Sequence, residues 1–171
     1  MLLALYWGLA RAQPAAPGVR YEPSPMPVVQ AMTELAAVKA GDLVYDLGCG
    51  DGRIVIAAAR LGARAVCVDI DPVRIADAQE NARSAGVAER IEFRTEDLFG
   101  VDLGAATVVM LFLSPEFNMK LKPHLQALKP GTRIVSHWHT MGDWKPQKKL
   151  SVSPDFREHP VYLWIVGQPA R

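Results

Sequence analysis

Residues 46–52 read Asp-Leu-Gly-Cys-Gly-Asp-Gly, between the apolar run Leu43–Leu47 and a segment with apolar residues at helical spacing. Strand, glycine turn and helix in that order is the arrangement by which a sheet presents a ligand to the start of a helix. Glycines there allow positive φ and close approach of a ligand to the backbone. The turn thereby points to an α/β domain, and the rest of the chain agrees. Strand patterns at 43–47, 65–70, 91–94, 106–113 and 133–138 alternate with helical ones. That alternation predicts an α/β domain with a mainly parallel sheet. Segments 150–153 and 161–166 are expected to pair as a hairpin at the sheet edge.

The helices have readable ends. Ser24 is expected to cap a helix bearing Val28, Met32 and Leu35 that Gly41 ends, and Asp51 to open one with Ile54, Ala58 and Leu61 inward. Asp71 before Pro72 is a cap followed by proline at the first helical position, with Ile75, Ala78, Ala82 and Ala85 inward. Ser114-Pro115 starts a helix with Phe117, Leu121 and Leu125 inward, which Pro123 is expected to kink or split.

Composition narrows the function. The 171 residues have room for one domain and none for a separate substrate domain. Lys plus Arg is 19 and Asp plus Glu is 18, so no global field favours a polyanion and a general nucleic-acid binder gains no support. Two cysteines make neither a disulfide framework nor a four-ligand zinc site, and Cys49 and Cys67 are expected to be reduced. Residues 2–10 form a short apolar run, open to reading as a truncated secretory signal, a weak membrane-surface anchor or a frayed helix. Residues 1–20 are taken as this segment and a linker, and 21–171 as the folded domain.

The glycine turn departs from the dinucleotide pattern GxGxxG, because its third glycine position is Arg53. It carries instead an acid, Asp46, two residues before the first glycine. A carboxylate there repels a pyrophosphate and suits a cationic ligand. S-adenosylmethionine is such a ligand, with an ammonium and a sulfonium. Asp69, ending the second strand, can accept hydrogen bonds from both ribose hydroxyls, as acids do in other doubly wound nucleoside sites. Asp97, after the third strand, can accept from an adenine amino group. Each acid alone reads equally as a cap or a solvated charge; together they converge on one crevice.

With these marks, and a Leu-Lys-Pro-Gly turn at 128–131, the chain resembles the class I S-adenosylmethionine-dependent methyltransferases over about residues 21–166. Tyr21-Glu22-Pro23-Ser24-Pro25, the run at 44–59, the run at 106–115, 128–137 and Met141-Gly142-Asp143-Trp144 resemble more narrowly the seven-strand protein-lysine methyltransferases, including those of the mitochondrial ATP synthase c-subunit type and archaeal relatives. The resemblance implies a Rossmann-like α/β fold, a seven-stranded mainly parallel sheet with helices on both faces and an antiparallel C-terminal strand, and it implies that S-adenosylmethionine is held by Asp46, Gly48, Cys49, Gly50, Gly52, Asp69, Ile70, Asp97, Leu98 and Leu111, under a cover that includes Tyr21 and Pro23. Where that family often has Tyr-Leu-Leu-Pro after the fourth strand, this chain has Phe112-Leu113-Ser114-Pro115.

A lysine nucleophile has an ordinary pKa of about 10.4 and must react as the neutral amine. Phe112 is a candidate wall of its channel, and Ser114 and Asn118 are candidates to orient the amine. Their plainer readings are core for Phe112, helix cap for Ser114 and a solvent-facing amide for Asn118. His137 and His139 are read as a locally packed strand end rather than a metal pair, and no metal is expected. Lys145, Lys148 and Lys149 beside Trp144 are read as a solvated loop, or as a patch for an acidic substrate surface.

The leading expectation is N-methylation of a protein lysine. Methylation of a small molecule is the alternative. An RNA or DNA amino-methylase should carry an (N/D)PPY-like tetrapeptide where this chain has Phe112 to Pro115. A nicotinamide-dependent oxidoreductase needs the missing third glycine, and a cofactor-binding protein without turnover also fits the turn. A cytoplasmic location is expected, with membrane association or export as the alternative.

Overall fold

The computed structural model describes residues 21–169. Seven strands, β1 (Leu43–Leu47), β2 (Arg64–Asp69), β3 (Ile91–Thr95), β4 (Val108–Leu111), β5 (Arg133–His137), β6 (Lys148–Val152) and β7 (His159–Ile165), form one sheet in the order β3-β2-β1-β4-β5-β7-β6. The first five are parallel; β7 runs antiparallel to β5, and β6 antiparallel to β7. The helices are α1 (Met26–Leu35), α2 (Arg53–Arg60), α3 (Pro72–Ser84) and α4 (Pro115–Gln126).

Two apolar layers hold the sheet. Val44, Cys67, Met110 and Val135 pack with α1, α2 and α3 on one face. Tyr45, Leu47, Val109, Leu111 and Ile134 pack with Leu121 and Leu125 of α4 on the other. Side chains alternate along a strand, so Asp46 shares the α1–α3 face with Val44. Strand order reverses at β1, with β2 on one side and β4 on the other. In a doubly wound sheet the crevice for ligands lies there, outside the carboxyl ends of the strands.

Several expectations need correction. Ser24 does not cap α1: Pro25 is the cap residue, and the helix ends at Leu35, short of Gly41. Gly52, not Asp51, caps α2, and Leu61 lies past its end at 48% exposure. The core strand β4 is two residues shorter at each end than its apolar run, because Ala106 sits in a turn closed by its own N–H to Leu103. β7 is an interior strand, paired on both sides, so of this pair only β6 is an edge strand, with β3 at the other edge. Helix α4 runs unbroken through Pro123. Pro123 is exposed, and Met119, whose carbonyl loses its helical partner, is on the exposed side as well, where water can take that bond.

No helix among the described residues is long and apolar enough to cross a membrane. The expectations for residues 1–20, including weak membrane association through 2–10, lie outside the described residues.

Candidate active site

The glycine turn folds back over β2. The N–H groups of Gly48 and Cys49 both donate to the Val68 carbonyl, at 2.8 and 3.0 Å, and Gly52 N–H closes the turn onto Cys49 O at 2.9 Å. This carries Cys49 above Cys67, and the two are joined by a disulfide with Cα atoms 5.3 Å apart. The expectation of reduced cysteines is therefore overturned. Spacing along the chain carries no hint of it, because the contact comes from the turn's fold-back onto a neighbouring strand.

Asp69 is a support of this turn. Its Oδ2 accepts from Gly50 N–H and its Oδ1 from Asp71 N–H, each at 3.0 Å. Each oxygen keeps a lone pair for a further donor. Asp46 differs: it is 1% exposed, and its Oδ2 has no hydrogen-bond partner among the described residues. Burial, and then the charges of Asp69 and Asp51, push its carboxyl up to about 8.

Tyr21 lies across the turn. A β-carbon on Gly50, whose φ is +54°, would come within 2.5 Å of Tyr21 Cε2. The Arg74 guanidinium stacks on that ring, 4.6 Å from its centroid. Burial and Asp51 raise the Tyr21 hydroxyl above its ordinary value. Arg53 fixes the strap 21–25 from below, bonding Asp51 through Nε at 2.9 Å and the Ser24 carbonyl through Nη1 at 2.8 Å. Burial pushes Asp51 up, but the Arg53 hydrogen bond and charge outweigh it and hold it below the usual range.

The outer expectations are placed unevenly. Ile70 stands 57% exposed beyond the end of β2. Asp97 is exposed and caps the short turn Leu98–Gly100 by accepting from Phe99 N–H at 3.0 Å. Leu98 is partly buried beneath it. Leu111 is fully buried, and its side chain belongs to the α4-side core. Pro23 reaches the cavity on the other side of the strap.

That cavity, of about 230 Å³, opens beyond the carboxyl ends of β4 and β5. The strap contributes Glu22, Pro23 and Pro25; Phe112 follows β4, and His137, Trp138 and His139 end β5. Arg157 and His159 close it from the β6–β7 connection. The Phe112 and His137 rings lie 4.1 Å apart between centroids. Ser24 Oγ is 2.9 Å from His137 Nδ1, and His137 Nε2 is 3.0 Å from His159 Nδ1. Burial and the neighbouring His159 push His137 down to about 3. A larger cavity, about 380 Å³, lies between Lys122, Gln126, Trp144, Lys145 and Gln168. It sits by the last turns of α4 and the residues after β7, at the opposite end of the strands, away from the crevice.

Of the three candidates near the reacting group, Phe112 lines the cavity. Ser114 caps α4, accepting from Phe117 N–H at 3.3 Å. Asn118 is fully buried and does not face solvent: its Nδ2 reaches Ser136 Oγ at 3.1 Å and the His139 carbonyl at 3.2 Å. It pins the loop after β5. Strand β5 stops at His137, and Trp138 takes φ +72°, so His137 and His139 do not share a strand face. Sequence reasoning missed Glu22, Trp138, Arg157 and His159 as cavity residues. The one available signal is Ser24, whose hydroxyl serves His137, 113 residues away, and not the helix that follows it.

Comparison with known proteins gives the family. Residues 46–148 match the family model described as the ANTKMT methyltransferase domain. The chain is 44% identical over 155 residues to a protein-lysine N-methyltransferase of Saccharolobus islandicus, covering 89% of this chain and 96% of that one. It is 32% identical over 152 residues to the ATP synthase c-subunit lysine N-methyltransferase of Xenopus laevis, covering 85% of this chain and 66% of the relative. Among solved structures, one described as an RNA methyltransferase from Salinibacter ruber in complex with S-adenosyl-L-homocysteine superposes with a TM-score of 0.81 at 48% identity, covering 88% and 95% of the two chains.

Proposed function

The chain belongs to the ANTKMT methyltransferase domain family and is an S-adenosylmethionine-dependent methyltransferase, and on that premise we propose that it methylates the ε-amino group of a lysine in a protein. The observation that carries this reading is the cavity at the ends of β4 and β5, with the Glu22 carboxylate at its rim and the Phe112 and Trp138 rings in its walls. Aromatic faces attract a cationic alkyl side chain, and the Glu22 carboxylate offsets the Arg157 charge at the same cavity.

The crevice fits the cofactor. The buried Asp46 oxygen without a partner calls for a cation, which the cofactor's ammonium supplies. Asp69 retains lone pairs for two ribose hydroxyls, Ile70 offers an exposed apolar surface for a base, and Asp97 is free to accept from its amino group. Gly50 lets the Tyr21 ring pack directly on the turn, and Tyr21 with Pro23 would cover the site. Gly48, Cys49 and Gly52 shape the turn. When bound, S-adenosylmethionine supplies a methyl group on a sulfonium. The protein's own tasks are to align the amine and keep water out. The Phe112 and Trp138 walls exclude water and favour the neutral amine by desolvation.

The Salinibacter ruber description raises RNA as a second substrate class. The net charge of +1 supplies no global field to attract a polyanion. The test is to incubate the protein with methyl-labelled S-adenosylmethionine and extract of the source cells, then digest separately with protease and ribonuclease. Label recovered as methyllysine is the expected result; label released as methylated nucleosides, or held on small molecules, overturns the lysine reading.

A further inference from the structure

We propose that the substrate lysine is received as its ammonium by the Glu22 carboxylate and the Trp138 ring, a place that the protein's own Arg157 fills until substrate displaces it. The inference deepens the lysine reading and rests on it.

Glu22, Trp138 and Arg157 all line the cavity at the carboxyl ends of β4 and β5. Glu22 comes from the strap, Trp138 from the end of β5, and Arg157 from the β6–β7 connection. The Arg157 guanidinium stands 5.7 Å from the centroid of the Trp138 ring, and its Nη1 is 3.6 Å from Glu22 Oε1. A carboxylate beside an aromatic face is a receptor for a cation. The cation found there is a side chain of the protein itself. Lysine shares with it the charge, the N–H donors and the alkyl stem.

Arg157 is held loosely. Its side chain is 43% exposed and that of Glu22 58%, and ion pairs so exposed contribute little. At 3.6 Å the pair lies beyond hydrogen-bond reach. A second carboxylate oxygen, Asp155 Oδ2, is also 3.6 Å from the guanidinium, so releasing Glu22 leaves Arg157 paired within its own loop. The backbone need not move, because Arg157 N–H donates to Asp155 Oδ1 at 2.6 Å and anchors the turn. The Phe156 ring, 5.7 Å from the same guanidinium and 95% exposed, offers it another aromatic face in solvent.

Arginine suits a placeholder. Its pKa lies above about 12, so it stays charged and cannot attack a sulfonium methyl. A lysine ammonium in the same place can lose its proton, and the neutral amine then enters between the Phe112 and Trp138 walls. Glu22 and Trp138 thereby select a cationic side chain at the mouth, before desolvation acts on it.

The test is steady-state kinetics on poly-L-lysine at fixed ionic strength, with S-adenosylhomocysteine affinity measured by calorimetry. Arg157→Ala should lower KM about threefold, because the competitor is gone, and Glu22→Gln should raise it about fivefold, with kcat held in both. Glu22→Gln should still raise KM when made in Arg157→Ala, since Glu22 then serves the substrate alone. Lys129→Ala removes the same charge from the exposed turn before β5, at the other end of the strands, and should leave KM unchanged. S-adenosylhomocysteine affinity should be the same in every variant. An unchanged or raised KM in Arg157→Ala overturns the proposal. So does an equal fall in Lys129→Ala, which reduces the effect to bulk charge, or a Glu22→Gln effect that vanishes in Arg157→Ala. A loss of S-adenosylhomocysteine affinity that matches the change in KM makes the pair a tie for the strap and overturns it too. In each of these cases poly-L-lysine is still methylated, and the lysine reading stands. A wild-type protein that binds S-adenosylhomocysteine and leaves both poly-L-lysine and the lysines of source extract unmethylated defeats that reading, and this inference with it.

Discussion

Asp46 and Asp69, near the carboxyl ends of adjacent parallel strands, are opposites in hydrogen bonding. Asp69 accepts from two backbone N–H groups, whereas Asp46 leaves one buried oxygen with no partner among the described residues. The first holds the glycine turn in place. The second has its ionised form disfavoured by burial.

This division predicts proton release on cofactor binding. With its carboxyl at about 8, Asp46 is mostly protonated at pH 7 in the free protein, and an ammonium placed beside it favours the ionised form. S-adenosylhomocysteine should therefore bind more tightly as pH rises towards 8. Calorimetry in two buffers of different ionisation heat should report close to one proton released at pH 7, and none for Asp46→Asn. Identical observed heats in both buffers for the wild type would contradict it. The same residue links stability to pH. Its pKa is raised above the unfolded value of 3.8, so the native state binds more protons in between, and this contribution to stability is lost as pH rises from about 4 to 8. Asp46→Asn should flatten that slope in thermal melts.

Gly50→Ala should displace the strap. The new β-carbon would press on the Tyr21 ring at 2.5 Å in a left-handed backbone conformation. A loss of at least about tenfold in S-adenosylhomocysteine affinity is expected, roughly 1.4 kcal/mol. Tyr21→Ala in the same chain should relieve the clash but not restore the affinity, because the cover is gone. Full affinity in the double variant would show that Tyr21 has no part in the site.

The disulfide between Cys49 and Cys67 closes a loop with a sequence separation of 18. Constraining the unfolded chain over such a loop is worth about 3 kcal/mol. Reductant should lower the unfolding midpoint of the wild type by a corresponding amount and leave that of Cys67→Ala unmoved. Equal midpoints with and without reductant in the wild type would refute the linkage.

Asn118→Ala should affect the substrate side and spare the cofactor. It removes the amide that holds Ser136 and the His139 carbonyl, at a cost of about 2 kcal/mol in urea unfolding. Methylation of poly-L-lysine should fall while S-adenosylhomocysteine affinity holds. A parallel loss of cofactor affinity would place Asn118 in a different role.

The glycine turn and the acids around it are legible because their positions are local. The turn 46–52 and the acids just past successive strands are written close to the elements that position them, and alternation along β1 fixes where Asp46 points. The cavity is not. Ser24, His137 and His159 meet only through the packing of the strap and the antiparallel return of β7, across separations of 113 and 22 residues. No periodicity records such contacts. The disulfide escaped for the same reason, since it depends on the turn folding back over β2. Apolar composition also overstated β4, because an apolar residue suits a buried turn as well as a strand.

Trp138 carries a last consequence. A bulky residue at φ +72° holds a conformation that costs of order 1–3 kcal/mol. Its N–H is tied to the Pro160 carbonyl at 2.7 Å, and Asn118 pins the next residue. Glycine at 138 would relax that backbone and at the same time strip a wall from the cavity. A selection for thermal tolerance and a selection for turnover would thus favour different residues at this one position. Variants that gain stability by losing the indole should be the ones that stop methylating.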